Sequence, residues 1–496
     1  MNKFKPTKLM AALGVTGLCS VMTPAVASVF DFGASAEKPN VVIIYMDDMG
    51  WGDITSYNRD SKINTPNIDQ IALEGMRFTD AHTPSSVCTP SRYGLITGEY
   101  GWRSDLKKGV TYDDPLIIPE GKSTIASMLK REGYSTAAIG KWHLGLGKGK
   151  YGKDKTDFNN ITRGVNDVGF DYWYGISASL DIAPYGYIEN DKLVEPLSEH
   201  INASDFARNG GVGFWREGDI SPSFNHKETL PHIVDKAEQY LEGAAKKKEP
   251  FLLYLPFTSP HTPWIPSDEF RGKTSVGPYG DFIYQIDHHV GEINNKLKEL
   301  GLDENTLLIV SSDNGSHWNP EDIKRWNHRA NGPWRGMKAD IYEGGHRVPL
   351  IVKLPKTIPA GTVSDENVSM VDMYATVADL IDVELKDDEA LDSYSILPAM
   401  TQKIGTSAIR EATVYHSYRG MFAIQKGKWK LIEGKGSGGF WDKDGTASYY
   451  PDGQLYNLSS DPKEENNLYN QYPEVVSELQ SLLNQYREEG HSRPLK

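Results

Sequence analysis

Val41-Val42-Ile43-Ile44-Tyr45-Met46, closed by Asp47-Asp48-Met49-Gly50, decides the fold. Six apolar residues in a row, four of them β-branched, make a strand covered on both faces, as in the parallel sheet of an α/β domain. Shorter runs of the same kind occupy residues 135–139, 251–255 and 307–310. All four runs end in reactive polar groups. After Asp47-Asp48 these are Gly140-Lys141-Trp142-His143-Leu144-Gly145, Ser259-Pro260-His261-Thr262-Pro263 and Ser311-Ser312-Asp313-Asn314-Gly315. Open α/β sheets bind ligands at the carboxyl ends of their strands. Paired acids there are costly unless a cation or hydrogen bonds compensate them. In an extended segment Lys141 and His143 point to one side and Trp142 to the other. Taken singly, Asp47-Asp48 also reads as a solvated turn, and Lys141 or His143 as a surface residue. The repetition at four strand exits argues for a site.

Helices are predicted between these strands. Thr65-Pro66 caps one that runs through Ile68, Ile71 and Ala72 to Gly75, with Pro at its first position and Gly past its end. Others are expected from Ser123 to Gly133, over 230–247 and over 370–382. Ile283, Ile286, Val290, Ile293, Leu297 and Leu300 alternate spacings of three and four, the mark of an amphipathic helix over 279–300. Residues 349–354 read as a further strand. Residues 146–226, rich in Gly, Asn, Asp and aromatics, read as a loop-rich insertion suited to substrate recognition. Beyond residue 405 short alternating runs (412–415, 421–424, 429–432, 454–457) precede a last helix over 474–488. That pattern is a small antiparallel sheet with a helix, packed on the main domain.

Residues 1–27 stand apart. Lys3, Lys5 and Lys8, an apolar run over 9–22 and Ala25-Val26-Ala27 have the layout of a secretory signal peptide, with cleavage expected before Ser28. The run is short for a membrane span, and Thr16-Gly17-Leu18-Cys19 makes no convincing lipoprotein box. The expectation is an exported protein, periplasmic or secreted, that does not span the membrane. Cleavage removes three lysines and no acid, taking the net charge from −14 to about −17. So acidic a chain does not bind polyanions over a broad surface, and nucleic acid is excluded. An anionic substrate has to meet a local cationic pocket. Cleavage also removes Cys19, leaving Cys88 without a partner. Exported proteins pair the cysteines they use structurally, so a lone one suits a modified nucleophile. Oligomeric state is not legible.

Cys88 lies in Val87-Cys88-Thr89-Pro90-Ser91-Arg92, continued by Tyr93-Gly94-Leu95-Ile96-Thr97-Gly98. Alone, this is also a loop cysteine before a helix, with Pro90 and Ser91 as helix-start residues. It is not alone. Asp47-Asp48, Cys88-x-Pro90-Ser91-Arg92, the block from Lys141 to Gly145, Pro260-His261, Asp313-Asn314-Gly315, Lys338 and Gly344-Gly345-His346-Arg347-Val348-Pro349 follow one another in order. By these motifs nearly the whole mature chain resembles the formylglycine-dependent (type I) sulfatases, arylsulfatase-like members of the alkaline phosphatase superfamily.

The resemblance implies an α/β fold: a large catalytic domain (37–404) with a central, mostly parallel sheet flanked by helices, and a small C-terminal α+β subdomain (405–496). It implies that a formylglycine-generating maturation enzyme oxidises Cys88 to formylglycine (3-oxoalanine), whose hydrate is the nucleophile. Asp47, Asp48, Asp313, Asn314 and the matured Cys88 then look like ligands of one divalent cation. Their hard oxygens suit Ca²⁺ better than Mg²⁺. Arg92, Lys141 and Lys338 look like a sulfate clamp, and His143 and His261 like the proton-transfer pair. Ser179, His328, His346 and Arg347 are further candidate substrate contacts. The implied function is hydrolysis of sulfate esters, most of all O-sulfate on sugars of a sulfated polysaccharide or its oligosaccharides. A formylglycine-dependent phosphonate or phosphodiester hydrolase, a decayed carbohydrate-binding homologue and a metal phosphatase with an unmodified nucleophile are the alternatives.

Overall fold

The computed structural model describes Met1 and residues 37–104, 106, 108–110, 114–147, 156–204, 214–402, 408–440 and 453–496. The expected leader (1–27, save Met1) and the expected boundary at residue 405 lie outside the described residues. Lys38–Lys496 form one compact unit.

Its first strands are β1 (Asn40–Asp47), β2 (Met76–Phe78), β3 (Ala81–His82), β4 (Ser135–Lys141), β5 (Tyr172–Ile176), β6 (Ile188–Glu189), β7 (Lys192–Leu193), β8 (Glu199–Ile201) and β9 (Gly218–Ile220). They are followed by β10 (Phe251–Pro260), β11 (Thr306–Ser312), β12 (Leu350–Lys353), β13 (Thr362–Ser364) and β14 (Val368–Ser369). The last four are β15 (Thr413–His416), β16 (Phe422–Lys426), β17 (Trp429–Ile432) and β18 (Gln454–Asn457). One sheet of ten strands runs β13-β2-β12-β11-β1-β10-β4-β5-β6-β7. Its centre, β11-β1-β10-β4-β5, is parallel throughout. The four runs read from sequence are therefore consecutive neighbours pointing the same way, and their four reactive exits share one edge. On the flanks β12 pairs antiparallel with β11 and with β2, and β6 antiparallel with β5.

The unbroken apolar run of β1 has its cause in two covered faces. Val41, Ile43 and Tyr45 pack with Tyr93, Leu95, Ile125 and Met373. Val42, Ile44 and Met46 pack with Ile68, Ile71, Ile233 and Ile283 on the opposite side. Burying one such side chain contributes roughly 1.5–3 kcal/mol. One helical layer holds α2 (Cys88–Thr97) and α3 (Ile125–Arg131); the other holds α1 (Pro66–Glu74), α4 (Thr229–Lys247) and α5 (Gly277–Glu299). Thr124 and Ser127 form a capping box on α3. Thr65 does occupy the cap position of α1, but its hydroxyl accepts from Thr55 N at 2.9 Å and does not cap the helix. The Asp287 carboxylate from α5 serves instead, accepting from Asn67 N (3.2 Å) and Ile68 N (2.8 Å).

The insertion at 146–226 is less loop-like than expected, since β5 joins the main sheet within it. Its aromatic residues largely pack on one another: Tyr185 and Tyr187 lie against Phe224, and Trp215 against His226. β15 to β18 form an antiparallel meander in sequence order. Its core includes Leu479, Leu482 and Leu483 of the C-terminal helix (Pro473–Glu489), and Tyr100 and Trp102 from the main sheet's layer.

Candidate active site

Each exit of the four central strands delivers its side chains to one buried cluster. β1 ends in Asp47, and Asp48 follows in the left-handed region (φ 69°), which turns its carboxylate back over the sheet edge. β11 delivers Asp313 and Asn314. The next residue has to be glycine, because a Cβ on Gly315 would stand 1.9 Å from Gly344 O. β4 ends in Lys141, and His143 (φ 57°) leaves the strand by a left-handed turn rather than by extended alternation. Trp142 still points the other way, into the core, donating its indole N–H to Gly145 O at 2.9 Å. β10 leads to His261. Cys88 is the first residue of α2, at its amino end, and Arg92 lies one turn on.

Three acids and three cations interlock. Arg92 donates to Asp313 Oδ2 from Nε (3.0 Å) and Nη2 (2.7 Å), and Nη2 lies 3.5 Å from Asp47 Oδ1. Lys141 Nζ donates to Asp47 Oδ2 at 2.6 Å. Lys338 Nζ is 2.6 Å from Asp48 Oδ1, which also accepts from Asn314 Nδ2 at 2.7 Å. Burial alone would raise the Asp47 carboxyl, but Lys141, His261, Arg92 and Lys338 hold it well below the usual carboxylate range. Burial would raise Asp48 as well; Lys338 and His261 bring it down. Asp313 goes the other way, to about 6: burial raises it by more than Arg92 and Lys141 lower it, and the charges of Asp47 and Asp48 add to the rise. Burial would lower the Lys338 ammonium, yet Asp48, Cys88 and Asp47 hold it above its usual value.

Cys88 Sγ lies 3.3 Å from His143 Nδ1, and His143 Nε2 lies 2.8 Å from Val110 O. A carbonyl oxygen only accepts, so Nε2 carries the proton and Nδ1 presents its lone pair to Cys88. Burial, then Lys141 and Arg92, hold His143 well below the ordinary histidine value, so the ring is neutral. Burial pushes the Cys88 thiol up despite Lys141 and Lys338. Cys88 is thus a protonated thiol, a poor nucleophile as it stands. Thr89 ties the two together: its hydroxyl donates to His143 O (3.1 Å) and accepts from Val110 N (3.2 Å).

His261 Nδ1 donates to Thr262 O at 2.7 Å, leaving Nε2 free, 3.8 Å from Asp48 Oδ2. Its side chain is 13% exposed, whereas Lys141 is fully covered and Lys338 6% exposed. His261 therefore stands at the mouth of the cluster. Beside it is Asp181, whose Oδ1 lies 3.8 Å from His261 Nδ1 and whose Oδ2 pairs with Arg216 Nη1 at 2.6 Å. Asp181 and Arg216 were not among the expected site residues; an acid five residues after β5, again at a strand exit, was the available signal.

The cluster fits a hard divalent cation. Asp47 Oδ1 and Asn314 Oδ1 are buried without a hydrogen-bond partner, and a buried acceptor left unpaired costs about 1–3 kcal/mol. Ligand atoms of Asp47, Cys88 and Asp313 lie within 4.8 Å of one another, as do those of Asp47, Asp48 and His261. Carboxylate and amide oxygens are the donors that Ca²⁺ and Mg²⁺ prefer.

Three of the expected substrate contacts have internal partners. His328 Nε2 donates to Asp53 Oδ1 at 2.8 Å, and its ring is buried. His346 stacks on Tyr415 (4.1 Å, 14°), its Nε2 lies 3.0 Å from Lys430 Nζ and 3.1 Å from Ile341 O, and its Nδ1 meets His82 Nδ1 at 3.0 Å. Arg347 pairs with Glu343 (2.7 Å) and Asp80 (2.6 Å). All three are held by internal partners. Ser179 Oγ is buried without a hydrogen-bond partner, two residues before Asp181.

Residues 39–383 match the model of the sulfatase family, and residues 337–489 that of the C-terminal region of N-sulphoglucosamine sulphohydrolase. The chain is 36% identical to an N-acetylgalactosamine-6-O-sulfatase of Bacteroides thetaiotaomicron, over 91% of this chain and 94% of that one. It is 30% identical to the N-acetylgalactosamine-6-sulfatase of Rattus norvegicus, over 79% and 71%. A structure solved in work on the metabolism of multiple glycosaminoglycans by Bacteroides thetaiotaomicron superposes with a TM-score of 0.82 at 35% identity, covering 91% of this chain and all of that one.

Proposed function

Because the chain belongs to the sulfatase family and is a sulfuric ester hydrolase, we propose that it removes 6-O-sulfate from N-acetylgalactosamine or a closely related sugar of a sulfated polysaccharide. The specificity of the relatives, and coverage of nearly the whole of both chains by the bacterial one, support that substrate. The spacing of Lys3, Lys5, Lys8, the apolar run and Ala25-Val26-Ala27 supports export to the periplasm or beyond. Among the described residues no helix is long and apolar enough to cross a membrane.

Matured to formylglycine, Cys88 would supply a hydrated aldehyde, with one hydroxyl to attack sulfur and a second through which sulfate is released. A divalent cation held by Asp47, Asp48, Asp313 and Asn314, Ca²⁺ by its donor set, would supply positive charge to the sulfuryl oxygens. The protein's own side chains do the rest. Asp47, Asp48 and Asp313 balance Arg92, Lys141 and Lys338 in charge, so the pocket becomes net cationic once a divalent ion is added. That answers the need of an acidic chain for a local cationic pocket. Arg92 fixes the direction of the Asp313 and Asp47 carboxylates. Lys141 and Lys338 hold ammonium groups where charge grows on the sulfuryl oxygens, each such bond contributing about 1.5–3 kcal/mol. Neutral His143 presents Nδ1 to position 88 and takes its proton. His261 keeps its Nδ1–H on Thr262 O and, in the doubly protonated form, gives the Nε2 proton to the departing sugar oxygen at the mouth, returning to the neutral ring.

The observation that carries this reading is the contact between Cys88 and neutral His143 beside two unpartnered oxygens. A base and an ion site converge on a thiol that burial has left protonated. The test is expression with and without a formylglycine-generating enzyme, followed by mass analysis of the Cys88 peptide and assay on N-acetylgalactosamine-6-sulfate. Turnover is expected only in the preparation whose peptide shows the thiol-to-aldehyde change. Full turnover by the thiol form would overturn the reading.

A further inference from the structure

Away from the Cys88 cluster the surface holds a second cleft, of about 670 Å³. Trp51 and Tyr57 line it together with Arg59, Lys62, Arg329 and Lys463, and Asp60 is the single acid in the lining. Its volume lies within the ~300–1,000 Å³ of ordinary ligand clefts. None of its lining residues belongs to the catalytic cluster. The two sites share one loop, since Trp51 and Gly52 lie three and four residues after Asp48, and Gly52 N donates to Ala330 O at 2.6 Å.

The charge here runs against the rest of the molecule. The chain carries −14, yet four cations converge on this cleft. All four are exposed, and none has an ion-pair partner among the described residues. The acid nearest in sequence to Lys463 does not neutralise it: Glu464 is turned inward, 2.8 Å from Lys430 Nζ. The aromatic wall is rigid. Trp51 meets Tyr57 at 5.3 Å and Trp334 at 5.7 Å, both edge to face, and Gly332 lies against the Trp51 ring. Converging unpaired cations inside a cleft focus a positive field. A preordered aromatic wall presents an apolar surface at little entropic cost. Together they match a ligand with several fixed negative charges on rings that have apolar faces.

We propose that this cleft is an accessory binding site for a stretch of sulfated polysaccharide, holding the polymer while an end of a chain is processed in the Cys88 pocket. The proposal rests on the sulfated-sugar reading above. Two sites on one polymer turn the second contact into an intramolecular one, which raises apparent affinity without a new catalytic contact. Small sulfated sugars gain nothing from it, because they cannot span both sites.

The test uses Cys88→Ala protein, with and without Arg59→Glu and Lys463→Glu, and chondroitin 6-sulfate as the probe in a direct binding titration. The charge reversals are expected to weaken binding at least tenfold and to flatten its salt dependence. In matured enzyme with Cys88 intact, the same two substitutions should leave turnover of monosaccharide N-acetylgalactosamine-6-sulfate within twofold and lower kcat/KM on the polymer. An unchanged dissociation constant overturns the proposal. So does equal, equally cleft-dependent binding of single-stranded DNA, which would make the cleft a general polyanion site, and so does parallel loss of monosaccharide turnover, which would make it part of the catalytic pocket. If matured enzyme hydrolyses an aryl sulfate but no sulfated sugar, the substrate reading fails by itself, and the titration with the Cys88→Ala proteins still decides the cleft.

Discussion

Replacing His261 by alanine separates two roles that a static ring at the mouth of the site could play. As a structural group His261 contributes little: its one hydrogen bond, Nδ1 to Thr262 O, is partly exposed, and such a bond is worth about 1 kcal/mol. As a general acid it would contribute about 10²–10⁴-fold in rate, or roughly 3–5 kcal/mol of barrier. The size of the loss therefore distinguishes the roles, and its dependence on leaving group distinguishes them further. A sugar alkoxide is strongly basic and needs the proton; a nitrophenolate does not. For His261→Ala, kcat on N-acetylgalactosamine-6-sulfate should fall by 10²-fold or more, while 4-nitrophenyl sulfate hydrolysis falls by less than tenfold. His261→Gln, which keeps a donor but transfers no proton, should behave like the alanine variant. Equal losses on both substrates, or rescue by glutamine, would reduce His261 to a sulfate contact and move the acid elsewhere.

The metal site carries a pH prediction with a fixed sign. The raised Asp313 carboxyl (about 6) must lose its proton before a cation binds, so Ca²⁺ affinity measured by calorimetry should weaken as pH falls from 7 to 5; a flat profile would contradict the ligand set. Asp313→Ala strands the buried Arg92 guanidinium, and a decrease of about 3–5 kcal/mol in unfolding free energy is expected with loss of activity. Lys430 is buried between Glu343 (2.8 Å) and Glu464 (2.8 Å) and lies 3.0 Å from His346 Nε2. Lys430→Met should cost a similar 3–5 kcal/mol in denaturant titrations, with part of it recovered by adding Glu464→Gln. A Lys430→Met protein as stable as the parent would show that this network holds nothing together.

Local signals were informative because the candidate site groups sit where a strand pattern stops. A buried strand announces itself by composition, and its end is marked by the first charged residue, so Asp47, Lys141, His261 and Asp313 could each be placed at an exit without knowing their neighbours. βαβ construction makes such strands parallel, but their order β11-β1-β10-β4, which brings the exits together, is not fixed by chain order. What stayed hidden depends on partners distant in the chain. His328 bonds to Asp53 across 275 residues and His346 meets His82 across 264, so no window around either histidine could tell a brace from a ligand. The cap of α1 is the same case. Thr65-Pro66 is a local signal for a helix start, yet its hydroxyl is taken by Thr55 and the cap arrives from Asp287 on α5. The antiparallel pairing of β12 is hidden likewise, because a short apolar strand reads alike in either direction. Arg92 has partners that its motif does not announce. Its guanidinium is fully covered and paired with Asp313 and Asp47, so substitution there should weaken Ca²⁺ affinity, measured by calorimetry, before it weakens sulfate binding; unchanged Ca²⁺ affinity would refute this.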